Sequence, residues 1–192
     1  MKVITAPEFY HVRESDITVF LAGGITNCEN WQKEVIDVLK SAKDTDNLVV
    51  FNPRRDIWPS NSDLDEVKKQ IEWEFEYLSC GKCLIFSMYF TNTKESDQPI
   101  CFYELGRCLS DRCYCHSTPT IISCQEGFRR EFDVVAQTEL IADHTTNKNL
   151  NVNVNFTPKQ HAQAILKGYH DIMGVRNKPT KVVKRKLTKE DL

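Results

Sequence analysis

Two glutamates stand where carboxylate chemistry is easiest to argue. Glu74 closes the run Gln70-Ile71-Glu72-Trp73-Glu74, and Glu104 lies in Pro99-Ile100-Cys101-Phe102-Tyr103-Glu104-Leu105-Gly106. On a helical wheel of about 100° per residue, Glu74 falls beside Ile71, Phe75 and Leu78 at the edge of an apolar stripe, while Glu72 and Glu76 point to the wetter side. A carboxylate at such an edge costs several kcal/mol unless it is paired or protonated. Two outcomes are open for Glu74: a raised pKa that suits a general acid, or a flexible stem that reaches solvent past the stripe. Glu104 is expected early in a helix, where the partial positive charge of the helix start favours the ionised form. An ionised carboxylate beside a sugar can attack its anomeric carbon while a protonated partner assists the departing group.

Two further clusters could hold a ligand. Asn52-Pro53-Arg54-Arg55-Asp56 follows an apolar strand, and guanidinium groups there can grip a phosphate or carboxylate bidentately. Pairing of Arg54 or Arg55 with a nearby acid or a neighbouring subunit is the structural alternative. Gly23-Gly24 ends another strand and lacks the spacing of a dinucleotide fingerprint or a P-loop, so it predicts neither a nicotinamide cofactor nor triphosphate hydrolysis. It still offers backbone amides to a base or phosphate.

The elements that would position these residues alternate. Ile17 to Leu21 is β-branched and aromatic and reads as a buried strand. From Trp31 the apolar Val35, Val38, Leu39 and Ala42 recur at helical spacing, with Asn27 or Asn30 able to cap. Leu48 to Phe51 is a second strand, stopped by Pro53. Ser62 or Asp63 opens a helix whose stripe is Leu64, Val67, Ile71, Phe75 and Leu78, ended by Gly81. Strands are expected over Cys83 to Tyr89, Thr120 to Ser123 and Asn149 to Phe156. Helices are expected from Pro99 through Leu109, over Phe132 to Ile141 and over Thr157 to Ile172. This predicts an α/β fold, a parallel sheet of about five strands with helices on both faces and ligands at the carboxyl ends of the strands.

Length and composition narrow the rest. A chain of 192 residues that is 41% hydrophobic suits one domain, taken as residues 1–177, with 178–192 as a disordered basic tail. A formal charge of −2 supplies no field for a nucleic-acid polymer, and the apolar runs are too short to cross a membrane. A cytoplasmic location is expected. The eight cysteines sit within apolar runs and read as reduced, buried thiols. Cys80 with Cys83, and Cys113, Cys115 and His116, have spacings that could suggest zinc, but the first pair straddles a helix end and a strand start, which sends the sulfurs apart. No metal is expected.

Taken together the motifs resemble the nucleoside 2-deoxyribosyltransferase family, in particular its deoxyribosyltransferase-like variant group. The resemblance runs from about Val3 to Leu140. It is carried by Thr5-Ala6-Pro7-Glu8, by Val19 to Thr26 with Trp31-Gln32, by Asn52 to Arg55, by Gln70 to Glu74, by Pro99 to Gly106 and by Cys124 to Arg130. It implies a flavodoxin-like, Rossmann-like sheet and an enzyme that transfers or hydrolyses at the N-glycosidic bond of (deoxy)nucleosides or their 5′-monophosphates. The mechanism it implies is retaining, through a covalent ester on a glutamate, with Glu104 as nucleophile and Glu74 as its acidic partner. Gly23, Gly24, Asn52, Arg54, Arg55, Asp97, Gln98 and Tyr103 form the expected substrate-binding set. Where the family's transferases hold the base with an aspartate ahead of the nucleophile, this chain offers Asp97 or Gln98. No metal or organic cofactor is implied, and family members often form homo-oligomers in which a neighbour completes the pocket. A nucleotide-binding or sensing protein on the same scaffold, and a glycohydrolase for NAD-like dinucleotides, are the alternative functions.

Overall fold

The computed structural model describes residues 1–58, 63–112, 118–145, 147 and 149–176. The expected tail, the cluster Cys113, Cys115 and His116, and Ser62 lie outside the described residues. Six strands, β1 (Lys2–Thr5), β2 (Ile17–Gly23), β3 (Leu48–Asn52), β4 (Ile85–Phe90), β5 (Thr120–Cys124) and β6 (Leu150–Asn153), form one parallel sheet in the order β1-β3-β2-β4-β5-β6. Among the described residues five helices alternate with them: α1 (Trp31–Ser41), α2 (Leu64–Tyr77), α3 (Pro99–Arg112), α4 (Glu131–Asp143) and α5 (Pro158–Arg176). The fold is the expected flavodoxin-like α/β arrangement with one strand more than the five read from the sequence. That strand, β1, pairs only with β3 at the sheet edge, and its four residues, half of them polar, are too short to show a period.

Alternation along the strands divides the core between the two faces of the sheet. In β2, Ile17, Val19 and Leu21 face α1 and α5, where Trp31, Val35, Leu39, Ile165 and Tyr169 are buried. Phe20 and Ala22 face the other layer, which buries Trp73 and Tyr77 of α2, Leu105 and Leu109 of α3, and Val134 of α4. On the first face His161 of α5 lies fully buried, its Nε2 2.7 Å from Ser87 Oγ and its Nδ1 2.8 Å from Ser123 Oγ. Both ring nitrogens are thereby satisfied, and burial holds the imidazole neutral, its pKa pushed down to about 3.

The expected apolar face of α2 is overturned. Leu64, Ile71 and Phe75 are 73%, 59% and 64% exposed, and the residues that pack on the sheet are Trp73 and Tyr77, with Gln70 beside them. Aromatic bulk decided the orientation. Trp73 and Tyr77 pack on Phe51 and Phe20, and their polar tips find partners: Trp73 Nε1 donates to the Glu8 carbonyl and Tyr77 Oη to that of Tyr10. The stripe read from Leu64, Ile71 and Phe75 therefore lies roughly 150° round the helix from the buried face.

Candidate active site

After β2 the chain turns to α1 on one face of the sheet, and after β4 it turns to α3 on the other. The adjacent carboxyl ends of these two strands thus make the crevice at which open α/β sheets bind ligands. A cleft of about 800 Å³ opens there. Its walls come from β2 and the loop Gly23 to Asn27, from Pro53, Arg54 and Trp58 beyond β3, from Val67, Gln70, Ile71 and Glu74 of α2, from Ser96 and Gln98 before α3, and from Pro99, Ile100, Cys101 and Glu104 of α3. Both glutamates singled out in the sequence are among its lining residues.

Glu74 reaches this wall because α2 is rotated as its aromatic residues require. It is half-buried, whereas Glu72 and Glu76 are exposed. Gln70 Nε2 donates to Glu74 Oε1 at 2.7 Å and to the Pro53 carbonyl at 3.0 Å, while Gln70 Oε1 accepts from Arg55 Nε at 2.6 Å. The carbonyl can only accept and the guanidinium can only donate, so the orientation of the Gln70 amide is fixed. Burial raises the Glu74 pKa, opposed by the Gln70 hydrogen bond and by the charge of Arg55.

Glu104 corrects the expectation of an ionised carboxylate at a helix start. It is the sixth residue of α3, past the first turn, where the helix-terminal charge has faded. Burial, reinforced by the charge of Glu74, pushes its carboxyl up to about 8, with Arg107 opposing. The charge of each glutamate therefore bears on the other, and Glu104, raised to about 8, holds its proton near neutral pH. A guanidinium opposes the rise at each carboxyl, Arg55 at Glu74 and Arg107 at Glu104, but only Glu74 also accepts a hydrogen bond from an amide donor.

The other expected ligand residues divide. Gly23 and Gly24 line the cleft. A Cβ on Gly23 would strike the Tyr89 carbonyl and the Trp31 ring, and the residue has φ +147°, so only glycine fits. Arg54 also lines the cleft, with its guanidinium bonded to the carbonyls of Ile25, Cys28 and Glu29. Gln98 lines the cleft too, but its amide is bonded to Thr91, accepting from the backbone N–H and donating to the carbonyl. Arg55 lies outside the lining, paired with Gln70 and Glu66. Asp97 pairs with Arg129 at the surface, Asn52 closes a turn on Arg54, and Tyr103 is 71% exposed. Sequence reasoning missed Gln70, Trp58, Ile100 and Cys101 as lining residues. The spacing Gln70 to Glu74, one helical turn, was the available signal for the first.

Residues 16–128, more than half of the chain, match the family described as nucleoside 2-deoxyribosyltransferase like. No curated protein matches. Among solved structures, a mutant flavo di-iron protein from Thermotoga maritima aligns at 15% identity and TM-score 0.43, over 83% of this chain and 36% of that one. The flavodiiron protein from Giardia intestinalis aligns at 13% identity and TM-score 0.42, over 88% and 39%. This chain thus spans less than two fifths of either. None of the helices among the described residues is long and apolar enough to cross a membrane. With the matched region spanning both Glu74 and Glu104, the chain belongs to the nucleoside 2-deoxyribosyltransferase-like family.

Proposed function

We propose that this protein cleaves the N-glycosidic bond of a (deoxy)nucleoside or its 5′-monophosphate by a retaining mechanism, with Glu104 as nucleophile and Glu74 as proton donor. The observation that carries the reading is the placement of two coupled carboxylates in the wall of one largely apolar cleft at the sheet's switch point. The pair holds one proton. In the first half-reaction that proton passes, by way of Glu74, to the departing base, which takes the electron pair of the breaking C1′–N bond. The ionised Glu104 then bonds to C1′ as an ester. Water or a second base then attacks C1′ from the vacated side and gives up a proton to the ionised Glu74; the ester bond breaks with its electron pair returning to the Glu104 carboxylate, and the original configuration returns. A closed, dry cleft favours transfer and an open one favours hydrolysis.

Self-association is part of the proposal. Leu64, Ile71 and Phe75 of α2 and Ile100 and Tyr103 of α3 are all more than half exposed, and Ile71 and Ile100 also form the cleft wall. An apolar surface continuous with the cleft fits a second copy that covers its mouth.

The test is incubation with a panel of deoxynucleosides and their monophosphates, with and without a second free base, followed by chromatography beside Glu104→Gln. Base release or exchange by the native protein and its loss in the variant is the expected result. Turnover unchanged in the variant would remove Glu104 from the mechanism.

A further inference from the structure

The loop between β2 and α1 is polarised. Its carbonyls are taken by donors of the protein: that of Gly24 by Trp31 Nε1 at 3.0 Å, that of Ile25 by Arg54 Nη2 and the Cys28 N–H, that of Thr26 by Cys28 Sγ at 3.4 Å and that of Asn27 by Thr93 Oγ1 at 3.0 Å. Arg54 continues the pattern on the carbonyls of Cys28 and Glu29, both at 2.8 Å. In contrast, the N–H groups of Ile25, Thr26 and Asn27 donate to no described residue. The single cis peptide among the described residues is Ala6-Pro7, so each peptide plane in this loop is trans and its N–H points opposite to its carbonyl. Drawing three successive carbonyls into protein contacts leaves three successive N–H groups on the other side of the loop. Ile25, Thr26 and Asn27 all line the cleft.

A second observation gives the sign of the ligand. Arg54 lies in the same wall, half-buried, and its bonds are to neutral carbonyls; no carboxylate among the described residues pairs with it. A desolvated cation without a counter-ion beside unpartnered N–H groups favours an anionic oxygen over the neutral edge of a base.

We propose that residues 25–27 form an amide cradle for the phosphate of a phosphorylated substrate, and that Arg54 is its positioning residue, holding the central carbonyl, that of Ile25, and tying the loop down through those of Cys28 and Glu29 so that the N–H groups face the cleft. The inference rests on the reading of the cleft as an N-glycosidic site and names the substrate class of that site, a nucleoside 5′-monophosphate. Arg54 acts through the backbone it organises and adds long-range attraction. One ammonium cannot reproduce a fork that spans three carbonyls, so lysine is a poor replacement.

The experiment uses the full chain labelled with ¹⁵N and needs no turnover. Inorganic phosphate, 2-deoxyribose 5-phosphate and 2-deoxyribose are titrated separately, and the backbone amide signals are followed. The expected result is a saturable downfield shift of the Ile25, Thr26 and Asn27 signals with both phosphates and none with the unphosphorylated sugar. Arg54→Met is expected to weaken 2-deoxyribose 5-phosphate by about tenfold or more and to move the three loop signals already in the ligand-free protein, with the remaining spectrum unchanged. Arg54→Lys should fall between. Loop signals that stay fixed under either phosphate, or that respond equally to 2-deoxyribose, would overturn the cradle. Loss of phosphate affinity in Arg54→Met with native loop shifts would make Arg54 a direct ligand and overturn the positioning role. Failure of the catalytic reading would appear separately, as absence of base release, and would leave these shifts interpretable.

Discussion

Gln70 donates its amide N–H to Glu74 across 2.7 Å from the preceding turn of the same helix, and a guanidinium behind it fixes which end of the amide faces the carboxylate. The relation sets the order in which the two glutamates of the cleft lose their protons. Arg55 does this from outside the cleft, through Gln70.

Gln70→Leu removes a donor that lowers the Glu74 pKa, so the acid limb of the pH–activity profile should move upward. Arg55→Met should move the limb in the same direction by less. Base release measured across pH checks both. A limb unmoved in Gln70→Leu would show that Glu74 does not control it.

Glu104 ties stability to pH. Its carboxyl is raised to about 8 in the folded protein against 4.5 when unperturbed. Below 4.5 both states bind the proton and the contribution is fully present. From 4.5 upward the unfolded chain releases the proton while the folded one retains it, and the contribution is lost as pH rises to about 8. Glu104→Gln is neutral throughout. Its melting temperature should exceed that of the native protein by several degrees at pH 8.5, on about 2–4 °C per kcal/mol for a chain of this size, with the gap closing toward pH 4.5. Thermal melts at the two pH values measure it, and a constant gap would contradict the raised pKa.

Gly23 and Gly24 should respond differently to alanine. Gly23→Ala meets the Tyr89 backbone and a positive φ, so nothing can move aside at low cost, and a loss of about 3 kcal/mol or more is expected in urea unfolding. Gly24→Ala meets the ends of the Gln98 and Cys28 side chains, which can shift. It should cost less stability while raising the KM, because the displaced Gln98 is part of the cleft wall.

The exposed apolar stripe of α2 predicts an assembly sensitive to charge. Leu64→Asp puts a carboxylate at the first residue of the helix, where it suits the helix dipole and removes a side chain that is 73% exposed. The variant should keep its melting temperature and run as a smaller species than the native protein in light scattering after size exclusion. Equal masses would show that this face is not the contact.

Much of the fold was legible because its signals are local. The β-branched runs at Ile17 to Leu21 and Leu48 to Phe51, and the Pro53 stop, depend on neighbours in sequence, whereas Gly81 did not mark a helix end, since α2 stops at Tyr77 with Leu78 as its cap. Alternation of the runs with helical periods implies a parallel sheet with its site at the carboxyl ends. The same holds for the candidate site: Glu74, Glu104, Gly23 and Gly24 were found from motif and spacing. The tertiary structure decided what those signals cannot carry. A helical wheel marks an apolar stripe but not whether Leu64, Ile71 and Phe75 or the larger Trp73 and Tyr77 reach the core, since both are apolar and packing selects the face with more aromatic area and satisfied polar tips. Sequence placed Arg54 and Arg55 beyond a strand but not whether their forks meet a ligand, a carbonyl or a glutamine. The protonation order of Glu74 and Glu104 is likewise a property of the folded cleft, because it depends on burial and on charges brought together from α2, α3 and the turn after β3.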